Sequence, residues 1–373
     1  MDRGDGHTRR TLHNLQALRG VACLAVVAYH LAVWEREYGV RTPVFELAYW
    51  FGFAGVDLFF ALSGFIITYT HADRAGHPRA VPGYLFRRAW RVYPTYWAAA
   101  GVAALSWAYL LNNPLRTPGW EGRWLHWLAL RPGEPYQQYV APAWTLPYEL
   151  MFYLGFAGLL ALPPRAGPWL LAGWGAGVLA HAAAGRPIDN RYLSLAASPF
   201  VLEFLGGCLA AGLVGRGVRW PGRAVAVAGG GYLGAAAGVV GLAGDWGTVV
   251  TDTATRVAVF GPPAVFTVYG MAVAECRGEY QAPRWLRPVG DASYSIYLTH
   301  GTVGRLAVVY GCYLPHTRLA HLGWLVGTLA GCLLVGFAMY WAVERPLLRL
   351  VARRPRGRPA AAPRPTAPVR RAA

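Results

Sequence analysis

The chain is 373 residues long, 55% hydrophobic and only 14% charged, with a mean hydropathy of +0.28, values that suit a polytopic membrane protein. Its formal charge of +17 comes entirely from arginine on the basic side, since the chain has no lysine. The size of that charge suggests nucleic acid, but its placement along the chain excludes it: the arginines collect between apolar stretches on alternate sides.

Ten apolar stretches follow one another at roughly 15–34, 47–69, 94–111, 144–162, 168–184, 192–214, 223–244, 256–276, 291–313 and 322–343. Most approach the ~20 residues needed to cross a hydrocarbon core. They predict an all-α, polytopic integral membrane protein with about ten transmembrane helices. Residues 1–14 form a cytoplasmic tail, 15–350 one membrane domain, and 351–373 a basic Pro/Ala-rich tail without fixed structure. With the N-terminus inside, 24 arginines fall on the inner side and 9 on the outer, leaving Arg19 and Arg305 within stretches. This positive-inside bias predicts N-in/C-in topology. The richness in Ala, Gly and Arg points to a bacterium of high genomic GC content, and so to the bacterial cytoplasmic membrane.

The first stretch, LQALRGVACLAVVAYHLAVW, is read as an uncleaved span. It carries Arg19 and His30. Eleven steps at 100° make three turns plus about 20°, so both side chains share a helix face, separated by roughly 16 Å along the axis. An ionisable group inside a span is costly and marks a functional site by default. The second stretch carries Asp57, near mid-membrane, and Ser63. Asp57 either pairs with Arg19 or Arg305, lines a water-filled path, or takes part in catalysis; Ser63 reads as a packing residue before Gly64. The connection 70–93 ends in YLFRRAWRVYP, where Arg88 and Arg91 share a face if the next helix begins early. Guanidinium pairs suit phosphate. In the outer loop 112–143, Trp120, Trp124, Trp127 and Tyr136 read as an interfacial belt or as platforms for sugar rings.

The fourth stretch carries Glu149. Counted at ~1.5 Å per residue from the outer end of each span, Glu149 and His30 both lie ~8 Å from the outer surface. This predicts a His30–Glu149 pair, in which the carboxylate orients the imidazole and raises its basicity. Glu203 in the sixth stretch and Arg305 in the ninth fall at similar depths and are expected to neutralise each other. Glycines at 229–244 serve packing, and Pro262-Pro263 predicts a kink. His300, placed nearer the inner side, either touches a cytoplasmic cofactor or caps a polar network. Glu344, at the inner end of the tenth stretch, is placed to hold an arginine of the 87–91 cluster. His71, His77, His316 and His321 read as solvated loop histidines. The five cysteines lack metal or redox spacing, and no metal site is expected.

These motifs together resemble the family-3 membrane acyltransferases, which acylate sugars and other hydroxyl-bearing acceptors. The likeness runs over about 12–350: LQALRGVACLAVVAYH with Arg19 and His30, FGFAGVDLFFALSGFIIT, the Arg88/Arg91 pair before Tyr93-Pro94, PAWTLPYELMFYLGF around Glu149, and ASYSIYLTH with VERPL. It implies a ten-helix core and a cytoplasmic acyl-CoA donor, acetyl-CoA by default, as a co-substrate rather than a resident cofactor. It also implies acyl transfer involving His30. The expected partners are that donor, a carbohydrate or glycosylated acceptor and the lipid bilayer. Arg88 and Arg91, with Arg19 and His300, fall to the donor; His30, Glu149 and Asp57 fall to catalysis. His30 either deprotonates the acceptor hydroxyl or first accepts the acyl group. The rival readings are a multi-spanning transporter or exporter built on the same intramembrane polar residues, and a sensor or scaffold that has lost activity.

Overall fold

The computed structural model describes residues 12–37, 44–110, 124–132, 140–218, 220–243, 252–311, 313–314 and 317–352. The C-terminal tail, most of the N-terminal tail and the outer-loop residues Trp120 and Tyr136 lie outside these, as do His316 and the side chains of Trp124 and Trp127. Among the described residues the chain is helical and has no strand. The helices are α1 (His13–Glu37), α2 (Glu46–Phe51), α3 (Gly55–His71), α4 (Val81–Leu105), α5 (Trp124–Leu128), α6 (Leu146–Ala161), α7 (Gly167–Ala184), α8 (Arg191–Ala196), α9 (Phe200–Gly215), α10 (Gly222–Ala243), α11 (Thr253–Cys276), α12 (Leu286–Asp291), α13 (Ser293–Gly311), α14 (Arg318–Met339) and α15 (Arg345–Ala352). Helix covers most of the described part of each of the ten apolar stretches. Four helical segments, His13–Arg36, Glu46–His71, Thr253–Cys276 and Arg318–Val351, are long and apolar enough to cross a membrane.

Lipid tails are as apolar as leucine, so helices in a bilayer are held by close packing and interhelical hydrogen bonds rather than by escape from water. The small residues act accordingly. At the crossing of α3 and α9, Gly64 lies against the carbonyl of Phe204 and Gly207 against that of Ala61, each too close for a Cβ. The rings of Phe152 and Phe204 then stack at 4.6 Å between α6 and α9. The start of α1 is held by a side chain from α11: Glu275, buried, accepts the backbone N–H groups of His13 (3.0 Å) and Asn14 (2.6 Å). Two otherwise orphaned donors of a helix N-terminus are thereby satisfied. At the other end of α11, Asp252 caps the helix by accepting from the backbone N–H groups of Ala254 and Thr255. The Thr255 hydroxyl adds a further bond, and these donors hold the Asp252 carboxyl below its ordinary range.

Three departures from the sequence reading shape the site. Helix α4 begins at Val81 with Pro82 in its first turn and runs through Pro94, so Arg87, Arg88 and Arg91 are helical. Helix α6 is preceded by a 3₁₀ turn, Ala141–Thr145, whose Pro142, Ala143 and Thr145 are buried. The chain is therefore already deep in the protein where α6 starts. Part of the long loop also packs back onto α4: Tyr93 donates to the Ala129 carbonyl (3.2 Å) and Trp97 to that of Leu128 (2.9 Å). Two histidines assigned to solvent are not there. His71 packs edge-on against Tyr84 and Phe156, and His321, buried, lies 3.0 Å from the Glu35 carboxylate.

The α3–α9 crossing makes a direct prediction. Gly207→Val places a branched side chain against the backbone of α3 and lowers stability by about 3 kcal/mol or more, the upper range for overpacking. A fall in the melting temperature of the detergent-solubilised protein checks it, with the exposed Gly234→Val as control.

Candidate active site

Two cavities share a wall at Val56 and Tyr297. The first is narrow, about 110 Å³, and is lined by Arg19 of α1, Ser63 of α3, Arg88 and Arg91 of α4, Glu149 and Tyr153 of α6, and Tyr294 of α13. Arg88 and Arg91, three residues apart on one helix, present one face to it. The Arg88 guanidinium lies 5.5 Å from the ring centroids of both Tyr84 and Tyr153, within cation–π range of each. Tyr153 donates its hydroxyl to Glu149. Glu149 and Glu344 are near enough to Arg19 and Arg91 for their charges to interact. Glu344 is delivered there by a π-helical turn, Tyr340–Glu344, and accepts the Ser295 hydroxyl at 2.6 Å. Three guanidiniums face two carboxylates, which leaves the cavity net positive and suited to a polyanion.

The second cavity, about 330 Å³, holds His30 with Tyr29, Trp144, Tyr148, Phe200 and Arg256. Here the arrangement departs from the sequence reading. Glu149 is not beside His30; it lines the arginine cavity. A depth taken from Trp144 as an outer end does not hold, because Trp144 belongs to a 3₁₀ turn whose residues Pro142, Ala143 and Thr145 are buried. The group that meets His30 is His300, with Nε2 3.3 Å from His30 Nδ1 and ring centroids 4.9 Å apart. His300 is thus level with His30 and does not line the arginine cavity, because α13 carries it upward from Ser293 and Tyr294, which do.

Backbone carbonyls fix the tautomers of the neutral imidazole pair. A carbonyl only accepts, so His300 Nδ1, 2.7 Å from the Tyr297 carbonyl, carries hydrogen and leaves Nε2 as an acceptor. His30 Nδ1 lies 2.9 Å from the Val26 carbonyl and so also carries hydrogen, facing the His300 lone pair. His30 Nε2 is therefore left with a lone pair that has no hydrogen-bond partner among the described residues. His300 Nε2 thus occupies, relative to His30 Nδ1–H, the position a carboxylate holds in a catalytic triad.

Asp57 is fully buried and pairs with neither Arg19 nor Arg305. It accepts from Arg256, whose Nη2 lies 2.7 Å from one carboxylate oxygen and whose Nε lies 3.1 and 3.2 Å from the two. Arg256 Nη2 also donates to the Phe53 carbonyl at 3.1 Å. Glu203 is within electrostatic reach of Asp57 and Arg256 rather than of Arg305, which stacks 4.4 Å over Trp107. Arg256 stands at the first position of its apolar stretch, where an arginine reads in sequence as part of a loop. The signal that points to it is a buried Asp57 in need of a cation.

Comparison with known proteins decides the family: residues 12–342 match the acyltransferase-domain model. The chain belongs to the acyltransferase-3 family. It is 34% identical to the exopolysaccharide production protein ExoZ of Rhizobium meliloti (strain 1021), over 80% of this chain and 90% of ExoZ. It is 30% identical to the acyltransferase MdmB of Streptomyces mycarofaciens, over 92% of this chain and 93% of MdmB. A third relative, protein 2 in the picA locus of Rhizobium radiobacter, is 33% identical over 28% of this chain. No solved structure matches the chain. The protein is accordingly a membrane acyltransferase.

The buried pair gives a stability prediction. Asp57→Asn removes the carboxylate that Arg256 hydrogen-bonds, leaving Glu203 as the carboxyl within reach of the cation, and costs about 3 kcal/mol, the low end of the range for breaking one side of a buried pair. The measurement is thermal unfolding in detergent; an unchanged melting temperature contradicts it.

Proposed function

We propose that this acyltransferase moves an acyl group, acetyl by default, from acyl-CoA to a hydroxyl of a carbohydrate or glycosylated acceptor. The observation that carries the reading is the pair of adjoining cavities. One is narrow and lined by guanidiniums; the other is wider and holds an imidazole with a free lone pair. Arg19, Arg88 and Arg91 bind the CoA phosphates, Arg88 and Arg91 in the two-pronged manner guanidiniums favour. The pantetheine arm extends past Val56 and Tyr297 and brings the thioester to His30. His30 Nε2 takes the proton of the acceptor hydroxyl, the oxygen forms its bond to the thioester carbon, and the C–S bond breaks. The departing thiolate recovers the proton from His30, so acyl-CoA and alcohol become ester and free CoA thiol. Glu149 contributes by holding Arg19, Arg91 and Tyr153 in place around the donor rather than by touching the imidazole.

In this reading ten helices cross a bacterial cytoplasmic membrane with both termini inside, and the arginine cavity faces the cytoplasmic acyl-CoA pool. A carbohydrate acceptor is supported by likeness to the exopolysaccharide production protein, and by the aromatic side chains Tyr29, Trp144 and Tyr148 that line the His30 cavity.

The test is transfer of label from radiolabelled acetyl-CoA to the glycans and small glycosides of a deletion strain, by protein reconstituted in vesicles. His30→Ala is expected to abolish transfer while leaving CoA binding in place; full transfer by that variant contradicts the assignment. Arg88→Ala and Arg91→Ala are expected to raise KM for acetyl-CoA about tenfold or more each, as loss of a charged hydrogen bond worth about 1.5–3 kcal/mol implies. Solute movement without any acylated product would instead establish the transporter reading.

A further inference from the structure

Arg256 has a side that the ion pair does not use. Its Nε and Nη2 are committed to Asp57 and the Phe53 carbonyl, whereas Nη1 has no hydrogen-bond partner among the described residues. The residue is 4% exposed and lines the same cavity as His30. Its guanidinium carbon lies 4.9 Å from the Phe53 ring centroid and 5.3 Å from that of Phe200. A guanidinium carries five N–H donors in a rigid fork. Fixing one edge of that fork fixes where the free edge points. The chamber thus holds two complementary groups: a lone pair on His30 Nε2, which accepts a proton, and a rigid cationic N–H donor.

We propose that Arg256 is a catalytic residue whose Nη1 donates to the thioester carbonyl oxygen and holds the negative charge that develops there. The inference rests on the acyl-transfer reading above. As the acceptor oxygen bonds to the carbonyl carbon, the π electrons move onto the carbonyl oxygen, facing Nη1. The acceptor proton passes to His30 Nε2. When the C–S bond breaks, the electrons return from oxygen to carbon and the thiolate takes the proton from His30, so nothing but the two substrates is consumed. Preorganised donors aimed at developing charge are often the largest single contribution to such reactions. The Asp57 carboxylate keeps the donor from turning, and Asp57 is therefore a positioning residue. This accounts for a buried Asp–Arg pair beside a reaction chamber, where a hydrophobic pair would often give equal or greater stability.

Arg256→Lys separates the proposed role from a structural one. Lysine keeps a cation for Asp57 but lacks the second prong, so the fold survives while the carbonyl loses its donor. In the vesicle assay with radiolabelled acetyl-CoA and a glycan extract of a deletion strain, the variant is expected to lose about 10²–10³-fold in kcat. Its KM for acetyl-CoA is expected to stay within about twofold of wild type, because only a transition-state interaction is lost. Its melting temperature should match wild type. Ethylguanidine added to Arg256→Ala is expected to restore part of the lost rate, which purely structural damage would not allow. A wild-type rate for Arg256→Lys with the wild type active overturns this inference alone. Loss of rate in Arg256→Ala with no rescue by ethylguanidine, in a variant that binds CoA normally, also overturns it. A wild type that transfers no label overturns the reading of the site and this inference with it.

Discussion

The contact between Asp57 and Arg256 sets the geometry on which the rest of the site depends. The two residues lie 199 positions apart, at the starts of α3 and α11. Either charge alone inside the protein would be prohibitive; together, with the Phe53 carbonyl as an added acceptor, they are held in one arrangement. The pair fixes one end of α3, and the Gly64–Gly207 crossing with α9 fixes its middle. Between these points α3 supplies Val56 to the wall common to both cavities and Ser63 to the arginine cavity. A shift of α3 along its axis would therefore disturb the ion pair, the close crossing and the shared wall at once.

Much of this was legible in the sequence. The spacing of Arg19 and His30 on α1 carries directly into two cavities stacked along that helix, because an uninterrupted α-helix converts residue number into height without ambiguity. Residue number does not give height for Glu149, because a buried 3₁₀ turn takes the chain inward before α6 begins. Nor does it for His300, whose height depends on where α13 starts and not on the edge of an apolar stretch. Arg256 was hidden for a related reason: at the edge of a hydrophobic run, an arginine that anchors a helix and one that turns into the core look alike in sequence. The partners of Asp57, Glu203 and His30 all come from distant helices, and no local pattern encodes which helix face meets which.

In the proposed reaction Arg19 and His30 on α1 have opposite electrostatic requirements, and their separation reconciles them. Phosphates call for several guanidiniums close together, while a base that must become positive during reaction is hindered by cations nearby. Arg19 and His30 are eleven residues apart on one helix, roughly 16 Å along its axis. At an effective dielectric of about 20, one arginine at that distance opposes a new imidazolium by about 1 kcal/mol, against about 4 kcal/mol at 4 Å. With three arginines the closer arrangement would forbid the proton transfer that the distant one permits, and Glu149 and Glu344 beside Arg19 and Arg91 reduce the residual field further. Among the described residues, the arginine that lines the His30 chamber is Arg256, and it arrives with its charge already matched by Asp57. The chamber thus gains a fixed hydrogen-bond donor without the full repulsion an unpaired cation would exert on the imidazole. That pairing explains why the Asp57 carboxylate is attached to the arginine, while the imidazole meets the ring of His300.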